Sequence, residues 1–145
     1  MNVSNTTFTC TLRPDQSEIA PLVDAVAAWA RQLQVPEAAT SAMTLMLEEL
    51  VANSITHGYA ESGTTGDVSL RLETDGQALM ASVSDAAPPF NPFDLPAPDT
   101  SSALQDRAVG GLGVHLVRRL AHSADYQRID GRNVIRVVRR FATAG

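Results

Sequence analysis

Two Asp-Gly pairs, Asp75-Gly76 and Asp130-Gly131, constrain this chain more than any other feature. Each joins two runs of alternating apolar and polar residues, the pattern of a hairpin closed by a tight turn. Before the first pair, Val68, Leu70 and Leu72 alternate with Ser69, Arg71 and Glu73; after it come Leu79, Ala81 and Val83, ending on Asp85. The second pair joins a predicted strand over 124–130 to one over 133–141. A further strand is predicted over 6–12, with Phe8, Cys10 and Leu12 on one side and threonines on the other. Antiparallel pairing is therefore written into the chain.

Helical periodicity fills the intervals. Asp15 and Glu18 resemble a capping box ahead of Ile19, Leu22, Val23, Val26, Trp29, Ala30 and Leu33. Pro21 is late for a first-turn proline, which predicts a ragged or kinked start. A second helix is predicted from Pro36, which suits a first helical position. Met43, Leu47, Leu50, Val51 and Ile55 form its apolar face, and Gly58 suits a left-handed stop. A third follows G-G-L-G, with Val114, Leu116, Val117, Leu120 and Ala121 at helical spacing. Between the hairpins lies A-A-P-P-F-N-P-F-D-L-P-A-P-D-T-S-S-A-L-Q-D-R, proline-rich and aperiodic for about twenty residues, which reads as a lid over about 86–109. The order β, α, α, β, β, lid, α, β, β predicts one α+β domain over 1–145, a two-layer sandwich of mainly antiparallel sheet with helices on one face.

Composition removes several functions. A net charge of −5 argues against direct nucleic-acid or anionic-membrane binding. No apolar run is long enough to span a bilayer, and the N-terminus lacks a secretory pattern, so a cytoplasmic location is expected. The single cysteine, Cys10, excludes an internal disulfide and a cysteine metal cluster. All 11 basic residues are arginine. Without lysine there is no P-loop and no ordinary protein-kinase strand lysine. The late arginines Arg128, Arg132, Arg136, Arg139 and Arg140 read as the wet face of a terminal strand.

Three places carry candidate chemistry. Glu49, Asn53 and His57 are spaced four and four, so they stack in a row apart from the apolar face, with Glu48 turned about 100° away. A carboxylate one turn before a carboxamide sets a proton acceptor beside an oxygen ligand for a hard cation; a solvated polar stripe has the same pattern. Gly110, Gly111 and Gly113 lie before the third helix, where free N–H groups and the helix dipole favour phosphate; an ordinary tight turn also fits. Asp85 ends a strand, as an acceptor for an amino group or as a turn-starting aspartate.

Taken together, these stretches resemble a family. E-E-L-V-A-N-S-I-T-H-G-Y looks like the first box of the GHKL ATPases and kinases, S-D-A-A-P-P-F-N-P like the second, and G-G-L-G-V-H-L-V-R-R-L-A with A-D-Y like the third. Within that group the chain resembles the anti-sigma-factor serine/threonine kinases of bacterial partner-switching systems. The resemblance implies a Bergerat-type ATP-binding fold and phosphorylation of a serine or threonine on a small, STAS-type anti-sigma-factor antagonist. It further implies sequestration of a sigma factor, with a homodimer as a common assembly. Glu49 would be the base, Asn53 the Mg²⁺ ligand through the ATP phosphates, and Asp85 the acceptor for the adenine amino group, with Ala87 beside the base. Gly110, Gly111, Leu112, Gly113 and Val114 would shape the phosphate turn, and Arg107 would reach the terminal phosphate. His57 is expected to cap or pack.

Two departures stand out. The second box expects Asp-x-Gly, and this chain has Asp85-Ala86-Ala87. The Ala87 methyl is expected to crowd the base or to forbid a positive φ, weakening nucleotide affinity. Arg136 stands where relatives often carry a threonine near adenine. Both favour the alternative of a partner-binding module without catalysis; an ATPase that hydrolyses without transfer ranks last.

Overall fold

The computed structural model describes residues 2–3, 6–94 and 111–141. Six strands form one antiparallel sheet: β1 (Asn2–Val3), β2 (Thr7–Leu12), β3 (Val68–Thr74), β4 (Ala78–Asp85), β5 (Ser123–Ile129) and β6 (Arg132–Arg140). Their order is β1-β2-β3-β4-β6-β5, so β6 lies between its hairpin partner and β4. Both Asp-Gly turns form where expected. Gly76 has φ 89°, and Asp130 and Gly131 have φ 50° and 78°. The Asp75 carboxylate also accepts the N–H groups of Gln77 and Ala78 at 2.8 and 3.0 Å. The two-residue β1 went unread, being too short to show alternation.

The helices α1 (Ile19–Gln32), α2 (Glu37–Asn53) and α3 (Gly111–Leu120) cover one sheet face. This is the expected two-layer α+β architecture. Strand residues pointing inward, among them Phe8, Leu70, Leu72, Val83, Ile135 and Val137, meet Leu22, Val26 and Trp29 of α1 and Met43, Leu47, Leu50 and Val51 of α2. Each such side chain contributes about 1.5–3 kcal/mol on burial. The helix α2 packs between α1 and α3 as well as on the sheet, so Ala42 and Met46 are buried beyond the single face read from periodicity. Among the described residues no helix is long and apolar enough to cross a membrane.

Several local expectations are corrected. Pro36 is the N-cap, with helix beginning at Glu37. The Asp15 carboxylate caps Ser17 N–H at 2.9 Å, but Glu18 pairs with Arg13 and does not close the box. A short 3-10 turn, Gln16–Glu18, makes the ragged entry that Pro21 predicted. Gly58 is no left-handed stop: α2 widens into a π turn, Ser54–Ala60, that carries the chain past it. The glycines do not all precede the third helix, since Gly111 opens α3 and Gly113 lies in its first turn. Residues 86–94 are not loose lid, because Ala87 and Pro92 are buried and Pro92–Asp94 forms a 3-10 turn. The rest of the expected lid lies outside the described residues, as do Arg107 and Gly110.

Candidate functional site

The last two turns of α2 bring the candidate residues together. Glu49 and Asn53 stack one turn apart, as a spacing of four requires. The helix α3, whose first turn holds Gly111, Leu112, Gly113 and Val114, packs against α2. At Gly113 the approach is so close that a Cβ would overlap the Glu49 carboxylate. Only glycine permits that contact. The N–H groups of this turn have no partner inside the helix, and the dipole adds positive character there. At the other end, Arg139 Nη1 donates to Leu120 O at 2.7 Å and complements the negative end.

The row is electrostatically unusual. Burial, and then the neighbouring Glu48 charge, push the Glu49 carboxyl above the ordinary carboxylate range. Asn53 is 2% exposed, and neither its Oδ1 nor its Nδ2 has a hydrogen-bond partner among the described residues. Buried amides are nearly always satisfied, because an unpaired one costs about 1–3 kcal/mol. An unsatisfied amide oxygen one turn from a carboxylate, beside a helix N-terminus, fits a hard cation that takes few protein ligands and keeps phosphate and water oxygens.

Asp85 lies at the C-terminal end of the row, beside Ser54. It is 5% exposed, at the end of β4. The residue after Asn53, Ser54, which opens the π turn, donates its hydroxyl to Asp85 Oδ2 at 2.7 Å. Asp85 Oδ1 accepts Ala87 N–H at 3.1 Å and Asn133 Nδ2 at 2.8 Å. The π turn also places Tyr59, whose hydroxyl accepts Ala86 N–H at 2.8 Å and donates to Asp67 O at 2.6 Å. His57 packs, as expected: its ring stacks on Phe90, and Nδ1 meets Glu61 Oε1 at 2.6 Å. Gly113, Glu49, Asn53, Ser54 and Asp85 thus form one continuous arc.

The structure bears on the geometry of both departures. Ala87 keeps an ordinary negative φ, since the left-handed non-glycine residues among those described are Gln34 and Asp130. Its methyl, fully buried, fills the space above Gly58, whose own Cβ would come within 3.3 Å of it. Arg136 is not near Asp85: it pairs in register with Ser82, points to the outer sheet face and donates to Gln127 Oε1 at 2.6 Å. The strand residue opposite Asp85 is Asn133. Sequence reading missed it, together with Ser54 and Tyr59. The available signal was an asparagine in phase with the inward-facing Ile135 and Val137.

The Gly58–Ala87 contact gives a direct expectation. Gly58→Ala should cost about 1–3 kcal/mol by overpacking, read as a lower calorimetric unfolding temperature. Adding Ala87→Gly, which moves the methyl across the contact, should restore most of it. An equal loss in the single and double variants would show that the two positions do not share this space.

An antiparallel α+β sandwich with a helix-borne carboxylate–carboxamide row against a glycine-lined helix start defines a GHKL-type nucleotide-binding domain. The comparisons agree, and the chain belongs to the family described as the histidine kinase-like ATPase domain, which matches residues 12–139. It is 28% identical over 91 residues, 63% of each protein, to serine/threonine-protein kinase BtrW of Bordetella bronchiseptica. The crystal structure of the RsbU and RsbW domains of Rv1364c from Mycobacterium tuberculosis superposes with a TM-score of 0.64 at 16% identity, over 92% of this chain and 32% of that one. The chain therefore spans less than two thirds of the length of either relative. The GHKL resemblance read from the three boxes holds, and ATP is the ligand that such a domain implies.

Proposed function

We propose that the chain is an ATP- and Mg²⁺-dependent protein serine/threonine kinase acting in the cytoplasm on a small, STAS-type anti-sigma-factor antagonist. In the same reading it holds a sigma factor or equivalent protein and exchanges one partner for the other. The observation that carries this is the buried, unpartnered Asn53 amide one turn after Glu49 and beside the glycine-lined start of α3. The name of its relative BtrW, a serine/threonine-protein kinase, supports the same class.

In this mechanism Glu49 accepts the proton of the substrate hydroxyl as its oxygen bonds to the γ-phosphorus and the bond to the β-phosphate oxygen breaks, leaving ADP. Burial, and then the Glu48 charge, raise the Glu49 carboxyl pKa, which makes it a better base. Asn53 Oδ1 would hold Mg²⁺, which when bound neutralises phosphate charge. The first-turn N–H groups of α3 orient the phosphates, and Asp85 takes the adenine amino group. Positioning and charge do most of the work in such transfers. A radiolabelled phosphotransfer assay against STAS-type domains from the same genome tests the reading. No transfer to any of them, together with no calorimetric heat from millimolar ATP and Mg²⁺, would leave the partner-binding module.

The Glu49 shift has two consequences with definite sign. Activity should fall as pH drops through a value above the ordinary glutamate pKa of about 4.3, and the residual activity of Glu49→Gln should lack this limb. The folded state disfavours ionised Glu49, so its contribution to stability is fully present below the unfolded pKa and lost as pH rises through the folded one. Glu49→Gln should therefore melt at a higher temperature than the parent at neutral pH, with the gap closing below about pH 4. Parallel melting curves at every pH would refute the burial argument.

A further inference from the structure

Arg118, in the last turn of α3, joins two parts of the molecule that lie 25 residues apart in the chain. Its Nη2 donates to Phe93 O at 2.9 Å, and its guanidinium carbon lies 5.0 Å from the centre of the Phe93 ring. A planar guanidinium can stack on a ring and donate to a carbonyl at once, which a lysine ammonium cannot. Phe93 belongs to the 3-10 turn Pro92–Asp94, at the end of the segment that follows Asp85. That turn has its own supports: Asn91 Oδ1 accepts Phe93 N–H at 2.9 Å, and Asn91 O accepts Asp94 N–H at 3.1 Å. Pro92 is buried, and Phe93 packs against the core.

The two parts are seated differently. The segment is tied to the β5–β6 hairpin along its length: Ala87 O accepts from Arg128 Nη1 at 2.7 Å and from Asn133 Nδ2 at 3.2 Å, and Phe90 N–H donates to Asn133 Oδ1 at 3.0 Å. The helix α3 has a narrower seat. Its buried residues among those described, Gly113, Val114 and Val117, form one strip, and the helix packs mainly on α2. Packed helices held in this way slide or roll by small amounts. Arg118 follows Val114 by one turn and so stands at the edge of the strip, where its hold on Phe93 opposes such a motion.

We propose that Arg118 is a positioning residue for the nucleotide phosphates: through Phe93 it holds α3, whose first turn receives them, at one distance from the base-binding end of β4. This rests on the ATP reading of the site. A nucleotide that spans both parts needs that distance to be right, and a misplacement of about 1 Å can cost on the order of a hundredfold in rate. Arg118 acts through the helix, because its guanidinium is already engaged by the Phe93 carbonyl and ring.

The test measures ATP with Mg²⁺, and adenosine alone, as competitors of a fluorescent adenine nucleotide on the full chain. Arg118 is exposed, so Arg118→Ala should melt within a few degrees of the parent. It should bind ATP more weakly by about fivefold or more, the worth of one exposed cation–π contact and one hydrogen bond, and adenosine within about twofold. Phe93→Leu, which removes the ring and keeps an apolar side chain against the core, should weaken ATP by about twofold or more and spare adenosine. The double variant should bind ATP no more than about twofold worse than Arg118→Ala. Equal weakening of both ligands would mark a purely structural role and overturn the inference. Parent-like ATP binding by Arg118→Ala, or by Phe93→Leu, would also overturn it, the second result giving Arg118 a direct contact with phosphate instead. A parent that binds ATP but not adenosine would show no separate base half and overturn the inference alone; a parent that binds neither would remove the ATP reading and the inference with it.

Discussion

Asn53→Ala is expected to lower phosphotransfer by about a hundredfold or more, roughly 2.7 kcal/mol or above in the barrier, without destabilising the free protein. The two halves of that expectation come from the same observation. Both amide atoms of Asn53 are buried and unpartnered among the described residues, so alanine breaks no described hydrogen bond. The melting temperature of the free protein should stay level or rise, while the stabilisation that ATP with Mg²⁺ gives the parent should largely disappear. A residue that merely filled space would behave oppositely, lowering stability with little effect on transfer. Thermal melts with and without Mg-ATP, run beside the transfer assay, separate the two. Parent-rate transfer by Asn53→Ala would remove it from the site.

What could be read in the sequence was what local chemistry determines. Asp75-Gly76 and Asp130-Gly131 select left-handed turns by themselves, so both hairpins were legible to within a residue or two. The Glu49–Asn53 row was legible because a spacing of four always stacks on a helix. Long-range facts were not. The π turn over Ser54–Ala60 forms where Ser54, Gly58 and Tyr59 meet the Asp85–Ala87 segment, and no propensity in S-I-T-H-G-Y encodes that meeting. Asn133 opposes Asp85 because β6 crosses to pair with β4, a choice of sheet order that lies in no short stretch. Arg136 was misassigned for the same reason: three residues along a strand reverses the face. Ala87 stands where the second box that the chain resembles expects glycine, and its backbone needs no left-handed angle here.

Gly113→Ala should nearly abolish transfer while the fold stays intact or gains stability. Alanine is the better helix former by roughly 0.8–1 kcal/mol, and Gly113 has no positive φ that would forbid a side chain. The nearest obstacle is Glu49: the three atoms closest to a new Cβ are its carboxylate oxygen, Cδ and Cγ. These belong to a flexible side chain that can swing aside, so the backbone tolerates the change and the base does not keep its place. Displacing a general base costs on the order of 10²–10⁴ in rate. Glycine could instead matter by letting the phosphates approach the α3 backbone, and a double-mutant cycle separates the two causes. If Gly113 acts through Glu49, adding Gly113→Ala to Glu49→Ala should cost little further rate. A full additional loss in that background would assign the glycine to the phosphates. A melting temperature far below the parent's would refute both readings, because it would mean that the helices could not accept the methyl by moving one side chain.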